Sequence, residues 1–371
     1  MMNKPSLPTR QLSSGVSNVR IGALIPLTRP GWAEAGRHLL NGLELGVCEV
    51  NDAGGINGRP LELLVRDTAA DPNRTVAAVD ELDSLGVAAL AGEYHSVAAR
   101  AAALRADAIG LPFLCSSAVL NALTEQPTKW VARLAPMQSH GWQSYADFLF
   151  KAGHTRIAVA IEPSIYWAFG ASILREYFAS RGGSIIELDM RVCAPMALCD
   201  ELIANDATAL LLLVGHPEPA LSIVKSVRRD QRLGGILIGA PAGQPEFAEW
   251  ALQLGDDGTE IPFLRYLPDR LGSLGARIQA ALIARLGEAP SFVAFEGYDT
   301  ITVLAHVMRS NGTDRVRIAE SWSSIAVEGT RGRISFSRAT GNGVWQWACP
   351  PVQIVDRDPA NPDSFRVLHA S

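Results

Sequence analysis

The sequence predicts an α/β protein with two open parallel sheets, each flanked by helices. Short, nearly continuous apolar runs alternate with stretches of helical periodicity, as expected of strands buried on both faces. The alternation restarts after "KAGHTR" (151–156) in the same order. Turn-forming residues punctuate the junctions.

Taken in order, "VRIGALIP" (19–26) reads as the first buried strand. Leu39, Leu40, Leu43, Val47 and Val50 then recur at helical spacing. Asn51 and Asp52 end that helix, Gly54 and Gly55 supply a positive-φ turn, and "LELLV" (61–65) is the second strand. Asp71 is placed to cap the next helix, with Pro72 at its first position and Gly86 as its stop. "VAALAG" (87–92), an alanine-rich helix (97–108) and "LPFLCS" (111–116) complete the first unit. In the second, "RIAVAIE" (156–162), "SIIELDM" (184–190), "ALLLLVG" (209–215) and "GILIGA" (235–240) are strands separated by helices. After "IPFLRYLP" (261–268) come helices over 269–286 and 292–310. The final stretch alternates and carries Gly-Asn-Gly, which signals an antiparallel hairpin.

A length of 371 residues favours two domains. Hydrophobic content of 48% with 19% charged residues argues against extensive disorder. The net charge of −5 offers no basic footprint, so nucleic acid is not an expected partner. No apolar run approaches the ~20 residues of a membrane span. Residues 1–18 read as a flexible tail with no apolar leader, which places the chain in the cytoplasm as written, or in the periplasm if a signal was trimmed. Five cysteines without a C-x-x-C spacing give no metal motif and no complete disulfide framework. Cys48 and Cys115 read as small core residues, and a pairing of Cys193 with Cys199 across a short loop is left open.

The loop after the first strand, "PLTRPGWAEAG", lacks G-x-G-x-x-G, and neither G-x-x-x-x-G-K-[ST] nor G-x-S-x-G occurs. Without H-E-x-x-H or a comparable histidine pair, no metal site and no cofactor are expected. The acid pairs in "DELD", "CDEL" and "GDDG" read as helix surfaces or turns, so no catalytic residue is assigned. What remains are the loops at the carboxyl ends of the strands, where open α/β sheets bind ligands. These supply Trp32, Tyr94, His95, Ser96, Ser116, Ser117, Ala118, Tyr166, Trp167 and His216. Hydroxyls beside helix N-termini suit a carboxylate or amide oxygen, and aromatics from the other unit would close over an apolar ligand part.

The run "NG…VNDAGGINGRPLELLVRDTAADPNR" (41–74) resembles the signature of type I periplasmic binding proteins of the Leu/Ile/Val-binding-protein-like group. "AALAGEYHS", "GLPFLCSSA…LT" and "RIAVAIEPSIYWAFG" follow in that family's order, and the resemblance spans about 19–355. It implies two Rossmann-like lobes joined by three crossover strands, with ligand held between them by hinge closure. On that basis 19–135 with 267–330 form the first lobe and 136–266 with 331–371 the second, the crossovers falling near 134–137, 264–268 and 330–333.

The resemblance also assigns roles. Ser96 matches a serine that holds a ligand carboxylate or amide, and Tyr94 a neighbouring contact. Ser117 and Ala118 match the next strand-end loop, Val119 replaces a usual threonine, Tyr166 matches a second-lobe tyrosine, and His216 stands where another tyrosine is common. Pro241 falls where amino-acid binders of the group place an acid for the ligand ammonium, and Glu246 lies five residues further on. An unpaired buried ammonium is costly, so a neutral amide is expected to suit the cleft better than a free amino acid. A disulfide that some members place between the loops at 68–70 and 94–95 has no cysteines here. The expected function is non-enzymatic binding of a small polar molecule, as the substrate-binding component of an ABC transporter with its permease as partner. The alternative is a cytoplasmic amide sensor acting on a regulatory protein. The chain is expected as monomer or homodimer. The competing classes are an enzyme using Cys115 activated by His95, and a DNA-binding repressor, for which the tail is too short to hold a helix-turn-helix.

Overall fold

The computed structural model describes residues 17–338 and 342–370. The expected tail therefore lies almost wholly outside the described residues, as does Gly341 of the expected hairpin turn.

The first unit runs β1 (Val19–Ile25), α1 (Ala33–Asp52), β2 (Leu61–Asp67), α2 (Pro72–Ser84), β3 (Ala89–Gly92), α3 (Ser96–Ile109), β4 (Phe113–Cys115) and β5 (Val131–Arg133). Its strands pair in parallel in the order β5-β4-β3-β1-β2. The second unit runs α4 (Gln138–Lys151), β6 (Arg156–Ile161), α5 (Ile165–Ala179), β7 (Ser184–Asp189), α6 (Pro195–Ala204), β8 (Ala209–Leu213), α7 (Ala220–Arg229), β9 (Leu237–Gly239) and α8 (Ala248–Leu254). Its parallel sheet has the order β7-β6-β8-β9, which repeats the wind of the first.

After β10 (Phe263–Arg265) the chain returns through α9 (Ser273–Leu286), α10 (Phe292–Asn311), α11 (Arg315–Glu320), β11 (Ala326–Gly329), β12 (Gly332–Ser337) and β13 (Trp345–Trp347). β11, β12 and β13 extend the first sheet to eight strands, β13 lying parallel to β5. β14 (Gln353–Asp358) and β15 (Asn361–Ala370) then pair antiparallel with β10, and Phe263 and Val355 pack into the second unit's core. Residues after 331 are thus shared between the units rather than belonging to the second alone. The third crossing is at 348–352, whereas 330–333 is the hairpin between β11 and β12. The other two crossings run through 134–137 and 266–272.

Period-two alternation fixes which face each strand residue serves. In β1, Ile21, Ala23 and Ile25 meet α1 and α10, while Leu24 meets α2 and α3. In β8, Leu211 and Leu213 face the α4/α5 side and Leu210 and Leu212 the α6/α7 side. α1 and α10 touch backbone to backbone. A Cβ on Gly42 would fall 1.9 Å from the Ala294 carbonyl oxygen, and one on Gly297 2.4 Å from that of Leu39.

The glycine-rich turn after α1 is architectural, as the sequence implied. Gly54 and Gly55 take φ of +94° and +74°, and the Asn51 amide brackets Leu61 with two hydrogen bonds that start β2. Asp71 caps α2 by accepting from the Arg74 N–H at 2.7 Å. One cysteine expectation changes and one open question is answered. Cys48 is exposed, because α1 turns Leu45 and Val50 inward instead, and no disulfide joins Cys193 to Cys199 among the described residues. No helix among those residues is long and apolar enough to cross a membrane.

Candidate functional site

The carboxyl ends of both parallel sheets face one another across a cavity of about 520 Å³, within the range of small-molecule sites. One wall comes from the loops after β1, β2, β3 and β4, the other from the loops after β6, β8 and β9.

In the first wall, the loop after β3 is framed by Glu93. One carboxylate oxygen accepts the N–H groups of Tyr94 (2.9 Å) and His95 (2.8 Å), and the other accepts the Thr68 hydroxyl at 2.6 Å. This bond ties the loops after β2 and β3 at the place where the resemblance left a disulfide missing. Burial pushes the Glu93 carboxyl up to about 7 despite these three donors. α3 starts immediately afterwards with no side-chain cap, so its first-turn N–H groups remain open to a ligand where Ser96 and Val97 line the cavity. Asp67 braces the neighbouring loop, accepting from Leu27 N–H at 2.8 Å, Ala69 N–H at 2.9 Å and the Thr28 hydroxyl. Trp32 stacks at 5.7 Å from Tyr94 between ring centroids.

Behind this wall lies a buried charge cluster. Arg331 donates to Glu296 (2.9 Å) and Asp299 (3.1 Å), all three side chains fully buried. Burial raises Glu296 to about 7, and the Ser117 hydroxyl, a buried atom of a residue that lines the cavity, has no hydrogen-bond partner among the described residues.

The second wall is framed mainly by neutral groups, with Gln138 donating to the Tyr166 carbonyl at 3.0 Å and Gln244 to the Val214 carbonyl at 3.1 Å. Ser164 caps α5 by accepting from Tyr166 and Trp167 N–H, setting both rings at the cavity 4.7 Å apart. Glu162 ends β6, and one of its oxygens accepts the Gly215 N–H at 2.7 Å. His216 packs 5.6 Å from Trp32 of the opposite wall. Burial lowers both His95 and His216 to about 4, so each is a neutral imidazole near pH 7, and among the described residues neither His95 Nε2 nor either His216 nitrogen has a hydrogen-bond partner.

Of the residues expected from sequence, Trp32, Tyr94, His95, Ser96, Ser117, Tyr166, Trp167 and His216 line this cavity. Ser116 and Ala118 do not. Ser116 follows the alternation of β4 and turns to the Gly92 N–H and the Thr300 hydroxyl (2.8 Å), whereas Ala118, beyond the strand, packs into the core beside α2 and α3. Sequence reasoning missed Tyr266 and Phe292, which meet at 5.0 Å and reach the cavity from the second crossing and the start of α10. Neither sits at the end of a parallel strand, so the strand-end rule has no signal for them. Pro241 does not line the cavity, and Glu246 is spent on Arg265 at 3.0 Å and the Phe292 N–H at 3.1 Å.

Cys115 is not set up as the nucleophile weighed from sequence. Burial pushes the Cys115 thiol up to about 12, and its sulfur lies against the Ala118 carbonyl rather than a base. Glu34, His38 and Glu288 cluster closely enough to suggest a metal. However, His38 Nδ1 accepts the Ser291 N–H at 3.0 Å, which leaves Nε2 protonated and donating to Glu288. Arg37 also binds Glu288, so the cluster is an ion pair network already satisfied from within.

Two α/β lobes of like topology, closing strand ends over a ligand-sized cavity, define a two-lobed binding protein. The chain belongs to the periplasmic binding protein family, whose sequence profile matches residues 18–353. It is 31% identical over 147 residues to Leu/Ile/Val-binding protein homolog 8 of Brucella suis, a match covering 39% of this chain and 36% of that protein. It therefore spans only about a third of the length of that relative. Among solved structures it is similar to a leucine binding protein from Thermotoga maritima, with a TM-score of 0.80, 20% identity, and 95% and 98% of the two chains covered. It is equally similar in fold to a solute binding protein of an ABC transporter from R. palustris in complex with benzoate, with a TM-score of 0.80, 18% identity and 95% and 96% coverage. Members of the family are binding proteins rather than enzymes.

Proposed function

We propose that this protein binds a small carboxylate- or amide-bearing molecule between its lobes, without chemical change, and delivers it to an ABC permease. The observation that carries this reading is the cavity itself. It offers the uncapped start of α3 to a polar ligand and surrounds it with aromatic rings from both lobes. The first feature suits an oxygen with negative charge, and the rings suit an apolar body. The leucine- and benzoate-binding proteins of the same fold handle ligands with both parts. The buried Cys115 thiol and the neutral histidines support binding over catalysis.

A thermal-shift screen with amino acids, benzoates, aliphatic amides and ureas tests the proposal. A ligand at a hundred times its dissociation constant stabilises by about 2.7 kcal/mol. The Ser96→Ala and Tyr166→Ala variants are expected to reduce that shift. Unchanged shifts in both would place the ligand elsewhere.

A further inference from the structure

We infer that Glu162 receives a protonated amine of the ligand, making it the residue by which this cleft selects ligands that carry a cation. The inference rests on the interlobe binding reading above and adds to it the charge of the ligand.

Among the described residues, no lysine or arginine lines the cavity. Its acidic side chains are Glu162 and Glu218, and burial keeps its two histidines neutral near pH 7. Glu218 is exposed and accepts the Ser222 N–H at 3.2 Å, serving the start of α7. Glu162 is half-buried at the end of β6, with one oxygen held by the Gly215 N–H and no hydrogen bond or ion pair to its other oxygen among the described residues. A carboxylate held in this way, facing a cavity without a basic partner, is an acceptor waiting for a donor.

The cations nearby are engaged elsewhere. Arg29 pairs with Glu249 at 3.3 Å, Arg133 donates to Gln346 and the Leu120 carbonyl, and Arg331 is held by Glu296 and Asp299. Glu162 stands on the second wall and the uncapped start of α3 on the first. A ligand with a carboxylate at α3 and an amine at Glu162 would join the two lobes through its own two charges. The family acid replaced by Pro241 is therefore not the only way for this cleft to hold an ammonium.

Calorimetric titration with two matched pairs tests this: L-leucine against 4-methylpentanoate, and L-phenylalanine against 3-phenylpropanoate. In the wild-type protein the amine-bearing member of at least one pair is expected to bind more tightly. Glu162→Gln keeps an acceptor for the Gly215 N–H while removing the charge. It is expected to weaken the amine-bearing ligand by roughly tenfold or more and to leave the amine-free acid unchanged or improved. An equal loss for both members would mean that Glu162 only shapes its loop, and would overturn the inference. Tighter wild-type binding of the amine-free acids would overturn it too, while leaving interlobe binding intact. Binding of none of the four probes would remove the support of both.

Discussion

Behind Tyr94 and His95 the first lobe places charged groups, Glu93 and a buried Arg331–Glu296–Asp299 cluster, whereas behind Tyr166 and His216 the second lobe places neutral amides, Gln138 on the Tyr166 carbonyl and Gln244 on the Val214 carbonyl, beside the Ser164 cap and one Glu162 bond. The first wall is a preorganised platform whose donors are already aimed. The second is a cover held behind Tyr166 and His216 by neutral amides. The difference suggests an order of events. Ligand docks on the first lobe, where little ordering cost remains, and the second lobe closes by hinge motion at the crossings.

Ways to break that contrast can be ranked by size. Arg331→Met leaves two acids buried without their cation and is expected to cost roughly 3–5 kcal/mol in urea unfolding. A loss below about 1 kcal/mol would mean the platform does not depend on that cluster.

Glu93→Gln gives a pH signature. The folded carboxyl titrates near 7, above its ordinary 4.5, so its contribution to stability is complete below 4.5 and is lost as pH rises toward 7. The stability of Glu93→Gln relative to wild type should therefore climb between pH 4.5 and 7 and level off above. At about 1.4 kcal/mol per pH unit, the climb sums to about 3 kcal/mol. A flat difference curve from thermal melts across that window would contradict the assignment. In the wild-type protein His95 and His216 act in the opposite sense, since their folded values lie near 4 and stability is lost as pH falls from 6.5 toward 4. Only the variant comparison isolates Glu93.

Glu34→Ala addresses the seam between the walls. The Glu34 carboxylate on α1 accepts the N–H groups of Ala248 (2.8 Å) and Glu249 at the start of α8, in the opposite lobe. Removing it should cost about 1 kcal/mol of cap energy and show as weaker ligand affinity in calorimetry. Smallest of all, Met196→Gln on the second lobe's exposed surface should shift the melting free energy by no more than about 0.5 kcal/mol.

Much of this architecture was legible in the sequence because strands buried on both faces declare themselves as apolar runs. β5, three residues long, carries too little pattern to be read. α4 was missed although Trp142, Tyr145, Ala146 and Leu149 bury one face, because polar residues interrupt the run. The third crossing was misplaced because "GTRGR" and "ACPPV" both read as turns, and only pairing shows that the first closes a hairpin. At the site, Ser117 is separated from Ser116 and Ala118 by the way the chain turns after β4, which ends at Cys115, and an irregular turn carries no periodic signal in sequence. Tyr266 and Phe292 depend on where the crossing passes, which is a tertiary fact.

The platform-and-cover account is tested most directly by titrating Tyr94→Ala and Tyr166→Ala with the tightest ligand from the screen. Loss of measurable binding in Tyr94→Ala, with roughly tenfold weaker but retained binding in Tyr166→Ala, is the predicted result. Wild-type affinity in Tyr94→Ala, or a larger loss in Tyr166→Ala, would contradict it.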